Sequence, residues 1–249
     1  MQAYAADRSL KGKLRRRLAR LQARRPLDAE IPGPIVSFSF DDIPESAASV
    51  GAPVLENLGV RGSFYVCAGL DGRAGPMGPH ATRAQIAELA ARGHEIGCHT
   101  FEHLDCGKAG REAIDASVAA NSQALNGMDV RTFAYPYGEV SVTAKLALAD
   151  HFQAVRALHP GLIRRGADLN QLPCVGIEGD AGEARAAAWI DRAASGRAWL
   201  ILYSHDVSAR PSRWGCTPEA LARLVHRAKD AGAEVLPVAD ALARIRSAR

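Results

Sequence analysis

No stretch of the 249 residues approaches the ~20 consecutive apolar residues of a membrane-crossing helix, which excludes a helical membrane span. The chain starts basic, but no apolar run follows as it would in a secretory signal, so a cytoplasmic location is expected. CxxC pairs are missing. The five cysteines (Cys67, Cys98, Cys106, Cys174, Cys216) are odd in number and dispersed, which argues against a disulfide framework and for a reducing compartment. Internal repeats and low-complexity tracts are absent too, and the ordinary hydrophobic and charged fractions argue against disorder. Acidic residues are lacking from 8–25. Residues 1–30 hold nine Arg or Lys against Asp7, Asp28 and Glu30, a charge of +6. The total of +4 therefore leaves −2 on the body, which gives no basis for nucleic-acid binding.

What is present alternates. Ile35–Phe40, Ser63–Cys67, Glu95–Cys98, Thr132–Tyr135, Gln153–Ala157, Leu172–Ile177, Trp199–Tyr203 and Glu234–Leu236 read as strands. Helical patterns fall between them, among them Ser46–Leu58, a segment from Thr82 to Arg92, Arg111–Leu125 and the run opened by Thr217-Pro218-Glu219. Strand–helix alternation of this length predicts an α/β fold with a parallel sheet and outer helices: a (β/α) barrel, distorted or incomplete, of seven to eight strands. Residues 31–249 would form it, preceded over 1–30 by a basic amphipathic leader helix with Leu10, Leu14, Leu18 and Leu21 on one side. That stripe either packs on the barrel or rests on an anionic membrane through residues 8–25.

The reactive side chains collect where strands end. Asp41 and Asp42 close the first, His99 and His103 follow the third, Pro136-Tyr137-Gly138 follows the fourth, and His205 follows the seventh. In a barrel those ends share one mouth. Two histidines four residues apart, with a carboxylate, make a ligand set for a catalytic metal that keeps one position open. Each residue also has a plainer role: Asp41-Asp42 can cap the helix near Ser46, His205 can bond at a strand terminus, and Tyr137 can pack in its turn. The two aspartates can serve one site only if the strand turns there, because neighbouring strand residues point to opposite faces.

These motifs resemble the polysaccharide deacetylase family, also called the NodB-homology family or carbohydrate esterase family 4. Ser39-Phe40-Asp41-Asp42 is similar to its Thr-Phe-Asp-Asp motif and His99-Thr100-Phe101-Glu102-His103 to its His-Ser/Thr-x-x-His motif. Phe133–Gly138 resembles Arg-x-Pro-Tyr, and Tyr203-Ser204-His205 resembles Leu-x-His. The resemblance runs over residues 34–240 and implies a metal-dependent N-deacetylase acting on an acetamido sugar of a glycan or glycolipid. Asp42, His99 and His103 would hold a divalent ion, zinc in the first place, with cobalt, nickel or manganese also suited to the donors. Asp41 would be the base, His205 the acid, and water in the ion's open position the nucleophile. The Tyr137 N–H, beside Pro136, would stabilise the oxyanion, and Trp214 would shape the cleft. Substrates would be N-acetylated sugars, glycans or lipid-linked glycans.

Two departures stand out. Ala134 takes the place of the family's arginine, with Arg164 or Arg165 as candidate substitutes. The Asp-x-x-Asp-Trp motif has no clear counterpart around Leu172–Asp180, where Glu178 or Asp180 would orient His205. Two rival readings use the same residues. One is a catalytically silent glycan-binding barrel, prompted by Ala134. The other is an inverted-motif zinc metalloprotease with Glu102 as base, which requires a helix over His99–His103.

Overall fold

Apolar, β-branched and aromatic runs form the strands, and polar caps start several of the helices between them. The computed structural model describes residues 9–248. Ser9 accepts from the Gly12 N–H and opens α1 (Leu10–Leu21). There follow β1 (Ile35–Asp41), α2 (Ala52–Asn57), β2 (Ser63–Val66) and a short hairpin of β3 (Ala74–Gly75) with β4 (Gly78–Pro79). Thr82 and Gln85 form a capping box at the start of α3 (Arg83–Ala91). Then come β5 (Glu95–Cys98), α4 (Arg111–Ala124), β6 (Thr132–Ala134), α5 (Val142–Leu148), β7 (Ala154–Arg156) and β8 (Val175–Gly176). The chain closes with α6 (Gly182–Ser195), β9 (Trp199–Ser204), α7 (Pro218–Asp230), β10 (Glu234–Val235) and α8 (Val238–Ser247).

The main sheet runs β7-β6-β5-β2-β1-β9-β8, every pair parallel, with β10 against the start of β1. It curls into a half-barrel with helices outside, as the alternation predicts. β1 and β9 are buried along their whole length, as central strands of a parallel sheet must be. Polar residues on them are satisfied: Ser37 accepts from the Trp199 indole at 2.9 Å, and Ser39 donates to the Leu202 carbonyl at 2.9 Å.

Two expected elements differ. The sixth strand is divided: Leu172 bridges to β7 at Arg156, and only Val175–Gly176 pairs with β9. Pro173 has no N–H for a continuous ladder, and the chain crosses there from one sheet edge to the other. The helix expected from Ser46 opens as a π turn over Ala47–Gly51. Pro53 cannot donate to the carbonyl four residues back, so the first turn is wider.

The leucine stripe of α1 does not pack on the barrel. Gly12 and Ala19 face the domain, while Leu10, Leu14, Leu18 and Leu21 are exposed. Among the described residues no helix is long and apolar enough to cross a membrane.

Candidate functional site

The site is built where β1, β2, β5, β6, β7 and β9 end. Asp41 is the last residue of β1, and Asp42 and Ile43 then take φ of 59° and 42°. That left-handed turn breaks the strand's alternation and lets both carboxylates face one site. It is the condition the sequence sets for the pair. Thr100, His103 and Tyr137 also adopt positive φ, at 63°, 61° and 60°. Non-glycine residues rarely do so, and such strain gathers at functional loops. Ser46 makes no side-chain cap to the following turn.

Asp41 is buried and pairs with the guanidinium of Arg156, the last residue of β7. The Arg156 guanidinium also lies over the rings of Tyr65, at 4.9 Å, and Tyr203, at 5.5 Å. Burial raises the Asp41 pKa, but Arg156, then His99 and His205, outweigh it and leave the carboxyl below its usual value. Arg156 supplies the cation missing at Ala134, since the two residues are register partners on β6 and β7. Neither expected substitute does so; Arg165 pairs with Asp28 and Glu30 on the surface.

Asp42 Oδ1 lies 3.3 Å from His103 Nε2 and 3.6 Å from His99 Nε2. His99 Nδ1 is 2.7 Å from the Ala134 carbonyl, which can only accept, so Nδ1 carries the proton and Nε2 keeps its lone pair. Burial, above all, lowers both histidines to about 4, so both rings are neutral at pH 7. A carboxylate oxygen, the His99 Nε2 lone pair and the neutral His103 ring therefore converge. Four ligands at ~2.1 Å around zinc stand ~3.4 Å apart, so the separations at Asp42 suit a shared divalent cation. Cys67, just past β2, joins the group: its thiol, Asp42 and His99 offer donor atoms within 4.8 Å of one another. The thiol donates to the His99 carbonyl at 3.0 Å, and burial raises its pKa well above the usual value. Neither Cys67 nor Arg156 is among the site residues expected from the sequence. Their signal was a reactive or charged residue closing an apolar strand, the same signal that marks Asp41 and His99.

His205 follows β9. Its Nδ1 lies 3.2 Å from the Trp214 carbonyl, so it donates there and leaves Nε2 for other work. Glu178 Oε2 is 3.7 Å from the same Nδ1, and its other oxygen accepts from Tyr203 at 2.7 Å; Asp180 is exposed. Of the two acids expected to orient His205, Glu178 is therefore the one in place. Trp214 serves His205 through its backbone, and its ring lies beneath Arg213 at 4.3 Å. Pro136 is buried, and the Tyr137 ring stands edge-on to His103 at 4.3 Å. The His99–His103 segment is a turn and not a helix, and Glu102 accepts from Ser117 at 2.5 Å. The metalloprotease reading fails on that geometry.

A family model described as polysaccharide deacetylase matches residues 28–154. No curated protein matches the chain. Among solved structures, a family 4 acetyl xylan esterase from Clostridium thermocellum in complex with a cobalt ion is 22% identical, with a TM-score of 0.59 over 84% of this chain and 90% of its own. The Xyl-CE4 domain of a multidomain xylanase from the hindgut metagenome of Trinervitermes trinervoides is 20% identical, with a TM-score of 0.58 over 85% and 91%. A CE4 family pseudoenzyme from Bacillus anthracis is 12% identical, with a TM-score of 0.56 over 88% and 69%. At such identities the likeness is one of fold.

Proposed function

The chain belongs to the polysaccharide deacetylase family, and from that premise we propose that it hydrolyses the N-acetyl group of an acetamido sugar in a glycan. The reading rests chiefly on one observation: Asp41, ion-paired with Arg156, stands beside the lone-pair cluster of Asp42, His99 and His103. Those three residues would hold a divalent ion, zinc in the first place, with the Cys67 thiol adjoining. When bound, the ion polarises the acetamide carbonyl and acidifies the attacking water.

The protein's own groups do the rest. Arg156 keeps Asp41 ionised, so Asp41 accepts the proton of the water that attacks the carbonyl carbon. The Tyr137 N–H donates to the oxyanion of the tetrahedral intermediate. His205, anchored through Nδ1, gives a proton from Nε2 to the sugar nitrogen as the C–N bond breaks, with Glu178 standing 3.7 Å from Nδ1. Acetate and a free amino sugar leave. A silent glycan-binding barrel, prompted by Ala134, is less well supported because Arg156 occupies the missing cation's place.

Acetate release from an N-acetylated oligosaccharide tests the proposal. Activity should vanish with chelator and return with zinc or cobalt. Asp41→Asn and His205→Ala should each lower turnover by ~10²–10⁴-fold while ion binding persists. Unchanged rates in chelator, or in both variants, would sink it.

A further inference from the structure

Helix α1 is amphipathic, but it is mounted with its leucines outward. Its polar side holds it to the domain. Arg15 and Arg16 pair with Glu139 at 2.9 and 3.4 Å, and the buried Lys145 donates to the carbonyls of Ala19 and Gln22 at 2.6 and 2.8 Å. Lys145 also bonds Asp168 at 2.6 Å, which compensates its charge. Lys145 thus satisfies carbonyls at the helix's C-terminal end, where the helix dipole favours a cation.

That mounting leaves Leu10, Leu14, Leu18 and Leu21 exposed by 85, 57, 38 and 67%. At ~100° per residue the four span an arc of only ~80°, a single seam along three turns. Lys13, Arg17 and Arg20, all exposed, lie on one flank of that seam. The other large exposed hydrophobics among the described residues are Leu146 and Leu158. Leu146 is on α5, against which α1 packs, and Leu158 stands against Gly138 in the Tyr137 loop. Solitary exposed leucines need no explanation, but a row of them on a helix fixed by its opposite face does.

We infer that this surface docks on an anionic phospholipid bilayer, with the leucines at the acyl boundary and Lys13, Arg17 and Arg20 among the phosphates. Charge complementarity selects that occupant. Residues 8–25 carry nine cations and no acid, so a second copy would set like charges against each other. A nucleic acid would match the cations but leave the leucines in water. The clamp on Glu139 lies two residues beyond Tyr137, so docking brings the mouth of the barrel close to the lipid surface. The inference is independent of the deacetylase chemistry, because vesicle binding reads it directly.

The full chain should co-sediment with vesicles of phosphatidylglycerol and phosphatidylcholine, weakly with phosphatidylcholine alone, and less as salt rises. Leu14→Glu with Leu18→Glu should abolish binding. Arg17→Glu with Arg20→Glu should weaken it by about tenfold or more. Both pairs alter exposed positions, so the helical circular dichroism and the hydrolysis of a soluble acetylated oligosaccharide should be unchanged. The inference is overturned if the full chain stays in the supernatant, or if the leucine variant sediments equally. It is also overturned if the leucine variant instead dissociates a dimer of the vesicle-free protein, which would make a second copy the occupant.

Discussion

Arg156 shows what one residue contributes to this site and why it is hard to find. A buried guanidinium is costly unless an anion and polar groups surround it, and here Asp41 and two tyrosine rings do so. Arg156→Met should leave Asp41 charged and uncompensated. The metal-free protein should lose ~3–5 kcal/mol in a denaturant titration. Without its cation, Asp41 would rise in pKa, so the acidic limb of kcat/KM should move to higher pH. An unmoved limb would show that Arg156 does not tune the base. The sequence reveals the vacancy at Ala134 but not its filler, because Ala134 and Arg156 meet only through the β6–β7 register. Asp41, Asp42, His99 and His205 are legible because they close apolar runs, and His103 because it stands four residues after His99. Cys67 closes one as well, but a cysteine at the end of an apolar strand also reads as ordinary core.

At the scale of elements, the strands were readable and their interruptions were not. Apolar runs locate β1, β2, β5 and β9, whereas Pro173 divides the sixth strand because the chain changes sheet edges there, a non-local event. The loops carry the comparable surprise. Five of the seven left-handed non-glycine residues among those described, Asp42, Ile43, Thr100, His103 and Tyr137, lie in loops after β1, β5 and β6. Tyr137 allows the strain to be separated from the side chain. Tyr137→Gly keeps the N–H and suits φ of 60°, but removes the ring beside His103. If the N–H is the working group, kcat should stay within about tenfold of wild type, since loss of an oxyanion donor costs ~10²–10³-fold. A fall in acetate release as deep as that would assign the work to the ring.

On the scale of the whole molecule, the strained mouth is opposed by a polar tie at the other end of the barrel. Glu95 opens β5 fully buried, accepting from Ser63 of β2 at 2.6 Å, from Thr132 of β6 at 2.5 Å and from the Ala239 N–H of α8 at 3.0 Å. One side chain thus joins three strands and the C-terminal helix. Burial raises its pKa despite those three hydrogen bonds. Ser63 and Thr132 tolerate the neutral acid because their hydroxyls can accept as well as donate. A raised folded pKa means that the native state holds this proton more tightly than the unfolded chain. The contribution is complete below the unfolded value of ~4.3 and is lost as pH rises through the folded value. Glu95→Gln removes the titration and keeps the shape. Other carboxylates are common to both proteins and cancel in the comparison. The stability difference, wild type minus variant, should therefore be largest near pH 4 and shrink as pH rises toward 7, measured by paired thermal melts. A difference that grows with pH would mean that Glu95 is held as the anion, and that its three donors outweigh its burial.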